Sequence, residues 1–147
     1  MNRKVIKTII VTLILCTVIA ASIGYYIINK GPEDVKNSTS VKIEAASLYT
    51  QYSKDSAGAI KKYSGRVLEV SGKVNSVSTN QQNEKVILLE TNSGGAYINC
   101  TMEENPENIK TNELVNIKGI CSGIGQGDAD LGILGDVYLT RCFIIKK

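Results

Sequence analysis

After residue 63 the hydrophobic period of this chain falls from about 3.6 to 2 and stays there. Segments 66–77, 85–91, 96–102, 114–121 and 136–145 alternate apolar with polar residues, and clusters of Asn, Gly, Ser, Asp or Pro separate them. Alternation commits one face of each strand to a core. Five short strands over residues 66–145 then have little to close on except one another, so a small barrel is the expected architecture.

Two helices complete the expected order. Residues 43–63 place Ala45, Leu48, Tyr49, Tyr52, Ala59, Ile60 and Tyr63 at three- and four-residue steps, the pattern of one amphipathic helix weakened around Gly58. Between the third and fourth strands, residues 103–110 offer Asn105 as an N-cap, Pro106 at the first helical position and acids near the positive end of the dipole. A short helix there makes the order three strands, helix, two strands, which is that of an OB-fold. The fold class is therefore mainly β, a five-stranded OB barrel behind an amphipathic helix and an N-terminal transmembrane helix.

That transmembrane helix is read from residues 8–29, which carry no formal charge and are rich in Ile, Val, Leu and Ala. As a helix they would reach roughly 33 Å, enough to cross a bilayer. Arg3, Lys4 and Lys7 precede them, while beyond them Lys36 is offset by Glu33 and Asp34, so the expected topology leaves the N-terminus in the cytoplasm and the domain outside. Tyr25 and Tyr26 stand where an interfacial aromatic belt belongs. A cleaved signal peptide is the alternative, with Ala20-Ala21-Ser22 as the small-residue site and a mature chain starting near Ile23. A lipoprotein at Cys16 is disfavoured by bulky Leu15 before it. The expected domains are 1–29, a basic tip and anchor; 30–42, a Gly-, Pro- and hydroxyl-containing linker; and 43–147, helix plus barrel.

The motifs Leu48-Tyr49-x-x-Tyr52-x-x-Asp55, Lys62-Tyr63-x-Gly65-Arg66-x-Leu68-x-Val70-x-Gly72-x-Val74, Ile98-x-Cys100, Val115-x-Ile117-x-Gly119-x-Cys121-x-Gly123 and Asp136-Val137-x-Leu139-x-x-Cys142-x-Ile144 resemble the bacterial tRNA-anticodon-binding-like OB family. The resemblance runs from about Ile43 to Ile145. It implies an OB barrel, usually behind a signal or membrane segment, and implies no particular activity. Where family members look as though a short hairpin joins the last two strands, this chain has fourteen residues, 122–135.

Missing residue types exclude much chemistry. The chain has no histidine, so it cannot build a Ser-His-Asp or Cys-His nucleophile or a His-containing zinc site. Of four cysteines, Cys16 lies in the apolar segment. Cys121 shares a strand face with Val115, Ile117 and Gly119, and Cys142 shares one with Ile144, so both should point inward from adjacent antiparallel strands. They are the candidate disulfide, which would stabilise by about 2–4 kcal/mol in the chain-entropy account; the alternative is three small apolar core residues without a bond. Cys100 is expected as a buried free thiol. The cysteines lack Cys-x-x-Cys spacing and closely spaced ligand pairs, which argues against redox catalysis and structural zinc.

The run Gly123-Ile124-Gly125-Gln126-Gly127-Asp128 lacks the Lys and Ser/Thr of a phosphate-binding loop, and an EF-hand reading starting at Asp128 fails because its twelfth position is Leu139. A flexible turn is expected there, and no metal or other cofactor. Convergence of acids such as Asp55, Glu69 and Glu90 is what an enzyme of unfamiliar type would need. For binding, strand alternation puts Ala96, Ile98, Cys100 and Met102 inward and Tyr97, Asn99 and Thr101 outward, beside Lys73 and Asn75 of the first strand. The formal charge of +3 does not favour a polyanion, because the first thirty residues hold four bases and no acid. Beyond them the net charge is −1. One tyrosine on a near-neutral barrel argues against nucleic acid as the partner, and leaves single-stranded nucleic acid or oligosaccharide as alternative ligands. The leading expectation is a membrane-anchored, non-catalytic module that binds a protein, peptide or small ligand in the cell envelope.

Overall fold

The structure is a computed structural model that describes residues 12, 15–19, 22, 34–128 and 130–145. Of the N-terminal segment, residues 12, 15–19 and 22 are helical, and Ser22 Oγ donates to Val18 O at 2.8 Å, one turn back. No helix of the described residues is long and apolar enough to cross a membrane. Arg3, Lys4, Lys7, Tyr25 and Tyr26 lie outside the described residues.

From residue 34 the elements run β1 (Val41–Glu44), α1 (Ala45–Lys54), α2 (Ser56–Tyr63), β2 (Val67–Thr79), β3 (Lys85–Glu90), β4 (Tyr97–Met102), β5 (Leu114–Ile124) and β6 (Val137–Ile145). The sheet order is β1-β2-β3-β4-β6-β5, and β2 also pairs with β5, which closes five strands into a barrel. All pairings within the barrel are antiparallel except β4 with β6. That is the closed five-stranded OB arrangement, as the alternating segments predict. The interior is built from the inward positions of every strand, among them Leu68, Val70, Ile87, Leu89, Ile98, Ile117 and Leu139, each 0% exposed.

Three expectations are corrected. The helix over 43–63 is two helices, broken at Asp55 rather than weakened at Gly58: Asp55 leaves helical geometry (φ −145°, ψ 81°), and its carboxylate accepts from Gly58 N at 2.9 Å. A side chain that caps the next helix ends the previous one. Most of the expected apolar face is buried against the barrel, Ala45, Leu48, Tyr49 and Tyr52 of α1 and Ala59 and Tyr63 of α2. Ile60, however, is 44% exposed, because the break at Asp55 starts α2 as a separate helix whose inward positions are 59 and 63. Next, residues 103–110 form no helix. Asn105 Oδ1 accepts from Lys85 N at 3.0 Å and Pro106 O accepts from Lys85 Nζ, so the residues suited to capping a helix instead hold the start of β3.

The third correction concerns the linker over 30–42, whose later residues are part of the domain. Residues 41–44 form β1, parallel to β2 with Val41 opposite Leu68. Ahead of β1, residues 34–40 cross the outside of β5 and β6. Val35 is 1% exposed, Lys118 of β5 donates its amine to the carbonyls of Lys36 and Ser38, and the Lys36 amine lies 5.6 Å from the Phe143 ring centroid.

Candidate functional site

The bulge in β2 between Val74 and Ser76 re-aims the strand just where β1 and β3 meet its edge. Parallel β1 ends at Glu44 opposite Ser71, and antiparallel β3 ends beside Val74, so two strand ends converge on one stretch of β2. The gap between them is a cavity of about 300 Å³ lined by Glu44, Ala45, Ser71, Lys73, Glu90 and Asn92, among others. A second cavity of about 210 Å³ adjoins it, with Asn75, Ser93, Gly94, Gly95 and Tyr97 in its wall. Both are lined by Glu90 and Thr91, so the two are neighbouring lobes about one shared wall.

Three of the five expected surface residues come together here. Lys73 and Glu90 form an ion pair at 3.5 Å, with side chains 44% and 38% exposed. Asn75 and Tyr97 line the smaller lobe. Tyr97 is held by β4 directly opposite Glu90 of β3, and its backbone N donates to Asp136 Oδ1 at 2.9 Å. The wall between Thr91 and Tyr97 is stiffened by one hydroxyl: Thr91 Oγ1 donates to Ala96 O at 2.6 Å and accepts from Ser93 N at 3.2 Å. Asn99 and Thr101 stand outward on β4 as alternation requires, but neither lines the cleft.

Sequence reasoning missed Glu44, Thr91 and Asn92. The parallel strand that delivers Glu44 begins in a segment that reads as linker, and Thr91 and Asn92 read as the end of a strand and its turn. It also missed Tyr138. Asn99 pairs with Tyr138 on β6, where the residue is 40% exposed, so the outer face carries two tyrosines rather than one.

The cleft carries two carboxylates against one amine, and its larger lobe adds the apolar surface of Ala45, Ala46 and Leu114. Asp55, Glu69 and Glu90 are not brought together: Asp55 caps α2, Glu69 meets Lys42 and Ser40, and Glu90 meets Lys73. Among the described residues no group of three or more His, Cys, Asp or Glu side chains is placed to hold a metal ion. Asp128, the first position of the failed EF-hand pattern, accepts instead from the amides of Asp130 and Leu131 at 3.0 and 3.2 Å, as a turn-forming aspartate does.

The expected Cys121–Cys142 bond is not formed; Cys100, Cys121 and Cys142 are free, buried thiols. Cys121 sulfur lies 3.3 Å from the Tyr52 hydroxyl, whereas the neighbouring Cys100 thiol and burial hold the Cys142 thiol well above its ordinary pKa. Register explains the difference. β5 and β6 slip between Lys118 and Ile120 and again between Cys121 and Gly123, which puts Cys121 opposite Leu139.

A comparison with solved structures gives a chain described as a putative aspartyl-tRNA synthetase from Leishmania major Friedlin, with 7% identity and a TM-score of 0.44. The match covers 79% of this chain and spans 22% of that one. The curated proteins contain no match. The profile of the tRNA_anti-like family matches residues 1–131 of the 147, and the chain belongs to that family.

Proposed function

We propose that this protein is a non-catalytic OB-fold binding module whose ligand site is the two-lobed cleft between the end of β1 and the end of β3. The observation that carries the reading is the shared wall: Glu90 and Thr91 serve both lobes, so a ligand seated in either meets the same two residues. The lining dictates its chemistry. Amide, hydroxyl and charged groups beside Ala45, Ala46 and Leu114, with one tyrosine, suit a peptide segment or a saccharide unit that offers both hydrogen bonds and apolar contact.

The domain works outside the cytoplasm, tethered through residues 8–29, with an envelope component as partner. Support for this placement is the uncharged apolar run behind Arg3, Lys4 and Lys7. Fractionation of intact protein with membranes supports the tether; a soluble chain beginning near Ile23 replaces it with a cleaved leader.

A second reading, single-stranded nucleic acid, draws on the tyrosine pair Tyr97 and Tyr138 flanking Asn99 on the outer face. The two readings separate in one amide-resolved NMR titration of the full chain with short peptides, oligosaccharides and oligothymidylate. Shifts confined to residues 71–75 and 90–97 on adding a peptide or sugar, and lost in Glu90→Gln, are the expected outcome. Shifts at Tyr97, Asn99 and Tyr138 with oligothymidylate, weakening steeply with salt, would establish the nucleic-acid reading instead.

A further inference from the structure

We propose that Cys100 and Cys142 are a disulfide site that staples β4 to β6 when the chain folds in the presence of a disulfide oxidant. β4 and β6 are the one parallel pair in the barrel, with Cys100 opposite Leu139 and Met102 opposite Cys142. Counting on from Cys100 and Leu139 without a break would place Arg141 opposite Met102. Arg141 instead adopts φ +52°, and the register shift it takes up brings Cys142 to that position with its side chain inside. As a result Cys142 stands one step along from Cys100 on the paired strand, and both residues are 0% exposed. Gly119 of β5 makes the room, since a Cβ there would collide with Cys142 Sγ. The third thiol is engaged elsewhere, by Tyr52. Register separates the possible pairs: Cys100 and Cys142 are near neighbours on paired strands, Cys121 stands opposite Leu139 rather than Cys142, and β6 lies between Cys100 and Cys121.

The chemistry balances with a disulfide as co-reactant. The two thiols form one S–S bond and give up two protons and two electrons, which reduce the disulfide of oxidised glutathione, or of a dithiol oxidase, to two thiols. Burial assigns the reaction to the folding chain, once β4 and β6 have met but before the barrel closes, because exchange needs an exposed thiolate and the folded barrel holds Cys142 neutral and covered. Once closed, the same burial shields the bond from external thiols. The bond would lock the strand bearing Tyr97 and Asn99 to the strand bearing Tyr138.

The test refolds the full chain, carrying Cys16→Ser, from urea into a glutathione redox buffer, followed by alkylation and trypsin digestion. Lys85, Lys110, Lys118 and Arg141 place the three remaining cysteines in separate peptides, so every link is read unambiguously. The expected result is a dominant link between the Cys100 and Cys142 peptides with Cys121 alkylated. That link should survive Cys121→Ser and disappear in Cys100→Ser, and reductant added before refolding should lower the urea midpoint of the product. A dominant Cys121–Cys142 link, or alkylation of all three cysteines in protein that has regained its folded circular dichroism, overturns the proposal. Because the oxidant is supplied in the tube, the outcome is independent of the compartment and of the ligand cleft.

Discussion

Tyr52 joins the helices to the barrel. It is 1% exposed, its ring centroid lies 6.3 Å from that of Tyr63 at 41°, and its hydroxyl reaches the Cys121 sulfur. Burial first, and then the bond to Cys121, push its pKa from 10.0 up to about 12. The folded chain therefore keeps this proton after the unfolded chain has lost it. The contribution is complete below pH 10 and drains away as pH rises from 10 to 12, at about 1.4 kcal/mol per unit. Urea unfolding measured from pH 9 to 12 should show the native sequence losing about 2 kcal/mol more stability than Tyr52→Phe, which keeps the ring but has no proton to lose. Parallel curves would show that another group controls the alkaline limb. The Tyr52 contact was legible as a helix face, since 45, 48, 49 and 52 step around one side of α1. Its thiol partner was not, because two register shifts between β5 and β6 decide which residue each cysteine meets, and nothing in the alternation of those strands marks them.

At the scale of elements, the strands were legible and the connections were not. Alternation follows from burial of one face, and it locates all five barrel strands to within three residues at either end. Connections depend on partners far away in sequence: Asn105 reads as an N-cap until Lys85 is brought beside it, twenty residues upstream. The loop over 122–135 is the clearest case. It reads as a flexible glycine-rich turn, yet Ser122 to Ile124 extend β5, Gly125 N donates to Asp136 O at 2.8 Å, and Asp128 and Ile133 exchange two backbone hydrogen bonds, each 2.8 Å. The glycines allow the two arms to approach, since a Cβ on Gly135 would run into Gly125 O. This arm presents Leu131, Ile133 and Leu134 at 72%, 55% and 44% exposure. Hydrogen exchange should find the amides of Gly125, Asp128 and Ile133 at least about tenfold slower than those of Gln126 and Gly127. Gly135→Ala should abolish that protection while leaving the urea midpoint of the barrel nearly unchanged. Uniformly fast exchange across 125–133 in the native sequence would restore the flexible-turn description.

For the whole molecule, the decisive feature is where the barrel domain begins. Composition draws the boundary at residue 43, because residues 30–42 lack any apolar period, whereas the compact unit starts at Asp34. What holds residues 34–40 is one buried valine and the amine of a lysine some eighty residues later, a combination no local pattern announces. The segment is not held by surface charge: the Lys36–Glu104 pair spans 3.5 Å with both side chains more than half exposed, and such pairs contribute little. Lys118 is different, being 7% exposed and bonded to two carbonyls. In Lys118→Met the side chain keeps its approximate length, but the carbonyls of Lys36 and Ser38 lose their donor, at a cost of about 1–3 kcal/mol if water does not replace it. Local release costs the chain less than global unfolding, so the strap should open before the barrel does. Trypsin should therefore cut Lys118→Met after Lys36 or Lys42 markedly faster than the native chain, while cleavage within the barrel keeps its native rate. Equal rates at Lys36 and Lys42 would show that Val35 and β1 alone hold the segment, and the lysine would then have no part in defining where the domain starts.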